Sequence, residues 1–115
     1  MFGQQQPARA RRKVDQLCRQ VEERIGLVLA GEVDDPALQD LYVVEVVPEP
    51  GSGRLIVRLA SPPGLAQPDV VEVLPRLDAL RPYLRGEVAE AIHRKRTPDL
   101  VFEVLRLTPR QEDDA

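Results

Sequence analysis

A chain of 115 residues, 43% of them hydrophobic, carries enough apolar side chain for the core of one domain and calls for no second one. Its formal charge of −3 and pI near 5.2 exclude a generic polycation that coats nucleic acid, so any phosphate binding has to come from one face. Cys18 is the single cysteine, which excludes an internal disulfide framework, and no apolar run approaches the ~20 residues that span a bilayer. These features make the cytoplasm the simplest compartment.

Charge is segregated along the chain. Residues 1–30 carry six Arg or Lys against three acids, residues 31–50 carry six acids and no base, and residues 81–96 carry five bases against two acids. The opening residues, MFGQQQPARARRK, lack the apolar stretch of a signal peptide and only faintly resemble a transit peptide. They read as a flexible arm over 1–7 followed by basic residues that begin a helix. From Ala8 to Ala30, Val14, Leu17, Cys18, Val21, Ile25, Val28 and Leu29 recur every three or four positions and predict one long amphipathic helix. Cys18 belongs to that apolar stripe as a small buried residue. Gly26 costs a helix about 1 kcal/mol relative to Ala, which predicts a neighbouring backbone packed close against it.

The acidic segment Gly31–Asp40 has no period and reads as a structured turn around Asp35-Pro36, with Asp34 and Asp35 as turn formers rather than metal ligands. Leu41–Val47 and Arg54–Ala60 predict strands, the second alternating Arg54, Ile56 and Arg58 with Leu55, Val57 and Leu59. The loop Pro48–Gly53 joins them as an antiparallel hairpin. Helical spacing returns over 68–95, but Pro75 and Pro82 each lack an amide hydrogen and crowd the preceding turn. Two helical pieces or a kinked helix are therefore expected, broken near Leu80-Arg81-Pro82, with the second piece closing on Arg94, Lys95 and Arg96. Glu87 and Glu90 are expected to pair with Arg94 or its neighbours. Pro98 then leads into a last strand over Leu100–Leu107, followed by a charged, acidic tail over 108–115.

The predicted order is α-β-β-α-α-β. Its comfortable arrangement is an α+β domain over 8–107, a three-stranded sheet with the helices on one face. This is the order of the type II K-homology fold, a single-stranded nucleic-acid module, with a ferredoxin-like relative lacking one strand as the structural rival. Catalysis finds no support: one histidine (His93), two loop serines (Ser52, Ser61), no nucleophile elbow, no phosphate-cradling loop and no metal-ligand pair. Neither a cofactor nor a small-molecule substrate is called for. The positive candidate is a basic edge made by Arg81, Arg85, Arg94, Lys95 and Arg96, joined by Arg9, Arg11, Arg12 and Lys13, which would hold RNA phosphates. Phe2, Tyr42, Tyr83 and Phe102 are the only aromatics, so binding is expected to be electrostatic and shape-directed with little base stacking. The alternative is a small interaction domain that dimerises through its sheet; a contiguous basic patch would favour RNA and a scattered one the alternative.

Taken in order, these segments resemble the ribosome-binding factor A family. The run Glu32–Leu38 is similar to the acidic Asp-Pro-x-Leu after that family's first helix. The two strands follow, and then basic residues before Pro98-Asp99-Leu100-Val101-Phe102, similar to the family's Pro-x-Leu-x-Phe. The likeness spans roughly 8–105. It implies a monomeric, non-enzymatic factor that assists maturation of the small (30S) ribosomal subunit and processing of its 16S rRNA, contacting that RNA near its processing end. One departure stands out: Leu80-Arg81-Pro82 occupies the place of the family's Ala-x-Gly between its second and third helices. Arg81 would there offer a charged fork to a phosphate.

Overall fold

The computed structural model describes residues 8–107, with only the backbone of the first three; the expected arm over 1–7 and tail over 108–115 lie outside the described residues. Helix α1 (Ala8–Gly31) is the predicted amphipathic helix. Leu17, Cys18, Val21, Ile25, Val28 and Leu29 are all buried, and burial followed by the nearby Asp15 and Glu22 carboxylates pushes the Cys18 thiol up from its ordinary value. The acidic turn contains one 3₁₀ turn, Pro36–Leu38. Asp35 caps it by accepting a hydrogen bond from the Ala37 amide at 3.0 Å, and Leu38 plugs it into the core. Gly26 departs from expectation: a Cβ built there meets nothing within 4 Å, so no backbone requires the glycine.

Strands β1 (Tyr42–Pro48) and β2 (Leu55–Ala60) form the predicted hairpin, and β3 (Leu100–Val104) pairs with β2 in parallel, giving the order β1-β2-β3. The alternation in β2 sets the layers. Leu55, Val57 and Leu59 are buried towards the helices, opposite Leu100, Phe102 and Val104 in β3. On the outer face Arg58 bridges all three strands, reaching Glu45 at 2.7 Å and Glu103 at 2.6 Å. A bulge between Val43 and Glu45 leaves Val44 unpaired and exposed.

The helical region is where the expected architecture needs correcting. Helix α2 (Val70–Ile92) is one element, so the order is α-β-β-α-β and no separate second and third helices flank Leu80-Arg81-Pro82. Neither proline is buried, and the carbonyls they deprive of a donor, those of Val71 and Asp78, belong to exposed residues where water can supply one. Val73, Leu77, Leu84, Val88 and Ile92 are buried along the opposite side. Core packing on both sides of each proline holds the helix together across them. Asp69 caps its start through the Val71 amide at 3.1 Å. The end is also corrected: the helix stops at Ile92, and Arg94, Lys95 and Arg96 lie beyond it.

Candidate nucleic-acid interface

Helices α1 and α2 pack antiparallel, which three contacts establish. Lys13 and Arg94 line one surface depression, Arg24 meets Glu87, and the Tyr83 hydroxyl donates to Glu32 at the far end. The packing therefore brings the basic start of α1 beside the basic residues that follow α2, two segments some eighty residues apart in sequence. The acidic turn goes to the other end, where Arg76 grips Asp35 at 3.0 Å. The Ala37 amide and then that guanidinium hold the Asp35 carboxyl below the usual carboxylate range. Hydrogen bonding to Glu32 pushes the Tyr83 phenol up to about 12.

The loop carrying the cations is set by His93, which caps α2 in the left-handed conformation (φ 51°, ψ 40°). A non-glycine residue there is uncommon, and it swings the chain off the helix axis. Arg94, Lys95 and Arg96 follow, and none is buried. This explains a further correction. An i,i+4 pair between Glu90 and Arg94 needs a helix that reaches residue 94, and the helix ends at 92. Glu87 and Glu90 turn instead to Arg24 of α1, at 3.1 and 3.6 Å. Among the described residues, Arg94, Lys95 and Arg96 form no ion pair, and neither do Arg11, Arg12 and Lys13.

The remaining candidates divide. Arg85 donates to the Thr97 carbonyl at 2.9 Å and pairs with Asp99 at 3.0 Å, so it braces the loop from α2. It also shares a depression with Lys95 and Arg96. Arg81 does not join the cluster. It pairs with Asp78, its guanidinium lies 5.7 Å from the centre of the Phe102 ring, and its Nε is buried without a partner. The aromatic face and Asp78 together hold this cation at the edge of the core. The side chain of Arg9 lies outside the described residues, while Arg11, Arg12 and Lys13 are exposed on the first turns of α1.

Sequence reasoning missed the third wall of this region, the β1–β2 loop. Glu49 accepts from the Ser52 hydroxyl at 2.6 Å and from Arg54 at 2.7 Å, and these two bonds, in that order, lower its carboxyl pKa. The loop so fixed faces Arg94 and Arg96 across a groove of about 430 Å³. No spacing rule relates residues more than forty apart; only the sheet register, with Leu55 opposite Leu100, brings the loop to the residues before β3. Among the described residues no group of His, Cys, Asp and Glu comes together in a form that would hold a metal ion, and no helix is long and apolar enough to cross a membrane.

No protein-family model matches the chain. A protein of Koribacter versatilis (strain Ellin345) named ribosome-binding factor A is 32% identical over 88 residues, covering 76% of this chain and 70% of that protein. The crystal structure of ribosome-binding factor A from Thermus thermophilus aligns with a TM-score of 0.56 at 24% identity, covering 77% of this chain and 88% of that one. The second likeness speaks for the fold.

Proposed function

This chain belongs to the ribosome-binding factor A family, and from that premise we propose that it binds RNA of the immature small ribosomal subunit and assists its maturation and the processing of its 16S rRNA, without catalysis. The observation that carries the reading is the charge arrangement at one end of the helix pair. Lys13, Arg94 and Arg96 converge there with Lys95, while the carboxylates that could neutralise them, Glu87 and Glu90, are held by Arg24. Cations without intramolecular partners release condensed counterions from a phosphate backbone, which drives association. Arg85 acts as a positioning residue for the loop. Binding one arrangement of the RNA more tightly than another stabilises that arrangement, so a factor of this kind needs no reacting group. It would act as a monomer and leave once the mature arrangement no longer fits.

The test is co-sedimentation with immature and mature small subunits over a salt series, comparing the protein with an Arg94→Ala/Lys95→Ala/Arg96→Ala variant. Each phosphate contact to a single strand contributes about 0.7 to the slope of log affinity against log salt, so losing three should flatten the slope by about two. Preferential binding to the immature particle with that loss of slope is expected. An unchanged slope in a folded variant, or salt-insensitive absence of binding to either particle, would overturn the reading.

A further inference from the structure

We propose that the groove between the β1–β2 loop and the 94–98 segment takes the base of one unpaired nucleotide, with Arg94 and Arg96 on its flanking phosphates. This deepens the RNA-binding reading and rests on it. The groove is unlike the rest of the basic end because its floor is apolar: Val14 and Leu17 come from α1, Leu55 from the start of β2, and Pro98 from the approach to β3. Leu17 and Leu55 are buried from the surface at large, so the groove reaches the edge of the core. Pro50 lines it from the loop side. Arg54 shares the wall, but its charge is answered by Glu49, which leaves Arg94 and Arg96 as the net charge at the mouth.

An apolar slot with two unanswered cations at its mouth is complementary to a ligand that is flat and weakly polar in the middle and anionic on both sides. A nucleotide within a strand has that form. The volume, about 430 Å³, falls among pockets that enclose small organic groups. A base inside a duplex has no free face to offer, so a paired helix would engage only the rim, through phosphates. The scarcity of aromatic side chains predicts little stacking anywhere on this protein. Here proline rings and aliphatic side chains present the flat apolar contacts instead.

The experiment uses the full chain and two RNA hairpins of one sequence, one with a single bulged purine and one with an abasic site at that position, so that the phosphates are identical. A base gains by stacking over a wide range, and with no aromatic partner the low end applies, so the bulged purine should bind on the order of fivefold tighter. A groove variant, Val14→Gln/Pro50→Gly, should erase that preference while keeping the salt dependence. Replacing the bulged purine with 2-aminopurine should give a fluorescence change on binding that the groove variant lacks. Equal affinity for the two hairpins, with steep salt dependence in both, would overturn the groove and leave the charged rim standing. A preference that survives in the groove variant would also overturn it, since the base then sits elsewhere. Failure to bind either hairpin would overturn the rim and the groove together.

Discussion

If Arg24 holds Glu87 and Glu90, energetic coupling must run from α1 to α2 and not along α2. The perturbation that measures it is the double-mutant cycle of Arg24→Ala with Glu87→Ala. The side chains are 34% and 18% exposed. That places the pair between exposed ion pairs, worth at most about 1 kcal/mol, and buried ones whose breaking costs about 3–5 kcal/mol. Arg24→Ala should therefore destabilise by about 1.5 kcal/mol, and the coupling in the cycle should be about 1 kcal/mol. Glu90, 74% exposed at 3.6 Å, should add little. With a urea slope of about 1.5 kcal/mol per molar, the Arg24 variant should unfold about 1 M earlier. The companion cycle, Glu90→Ala with Arg94→Ala, should show no coupling. A coupling below about 0.3 kcal/mol for Arg24 and Glu87, or a larger one for Glu90 and Arg94, would refute the reasoning. It would also return a carboxylate to the basic loop and remove the main argument for its availability.

Two further outcomes are expected. Gly26→Ala should raise stability by about 1 kcal/mol, since the added methyl meets nothing and helix propensity improves; a melting increase of roughly 5 °C would show it, and a decrease would reveal a contact that the structure lacks. Absorbance titration should place Tyr83 ionisation at about 12, against 10.0 for an unperturbed phenol, and Glu32→Gln should bring it down towards the ordinary value. Because the folded value is the higher one, the Tyr83 contribution to stability is complete below pH 10.0 and fades as pH rises through about 12. A midpoint near 10.0 in the unaltered protein would show that the Glu32 contact does not persist in solution.

The layers of this fold are readable in the sequence because burial leaves a period. The α1 stripe and the β2 alternation each name their buried faces, and the structure buries those faces. The continuity of α2 has a subtler signal. Pro75 and Pro82 stand seven residues apart, which returns to nearly the same side of a helix, and the apolar positions Val73, Leu77 and Leu84 fall on the other. Counting the local cost of each proline, without asking which side its ring takes, predicts a break that packing overrides. The loop cations are legible by composition alone. Their freedom from carboxylates is not, because Arg24 and Glu87 are 63 residues apart and no helical spacing rule reaches across that interval. Arg81 shows the same limit in reverse: a basic residue beside the others in sequence is turned onto Phe102 and engaged there.

The sheet's outer face bears on the competing idea of a domain that pairs through its sheet. Val47, Ile56 and Val101 form one half-buried apolar row across the three strands, which by itself would suit a partner. Beside it runs the row Glu45, Arg58 and Glu103, already joined by two short ion pairs. These groups remain hydrated, with side-chain exposures of 46%, 30% and 50%. Covering the face would strip water from three charges whose mutual attraction is already realised, a desolvation cost of several kcal/mol per ion that no new contact is present to offset. The basic end carries the opposite balance. Among the described residues its Arg94, Lys95 and Arg96 form no ion pair and stay exposed, so they keep their water and stand to gain from a polyanion. Burial of the sheet face thus costs charge hydration without return, which weighs against a domain that pairs through it, whereas a polyanion at the 94–96 loop would exchange counterions for phosphate.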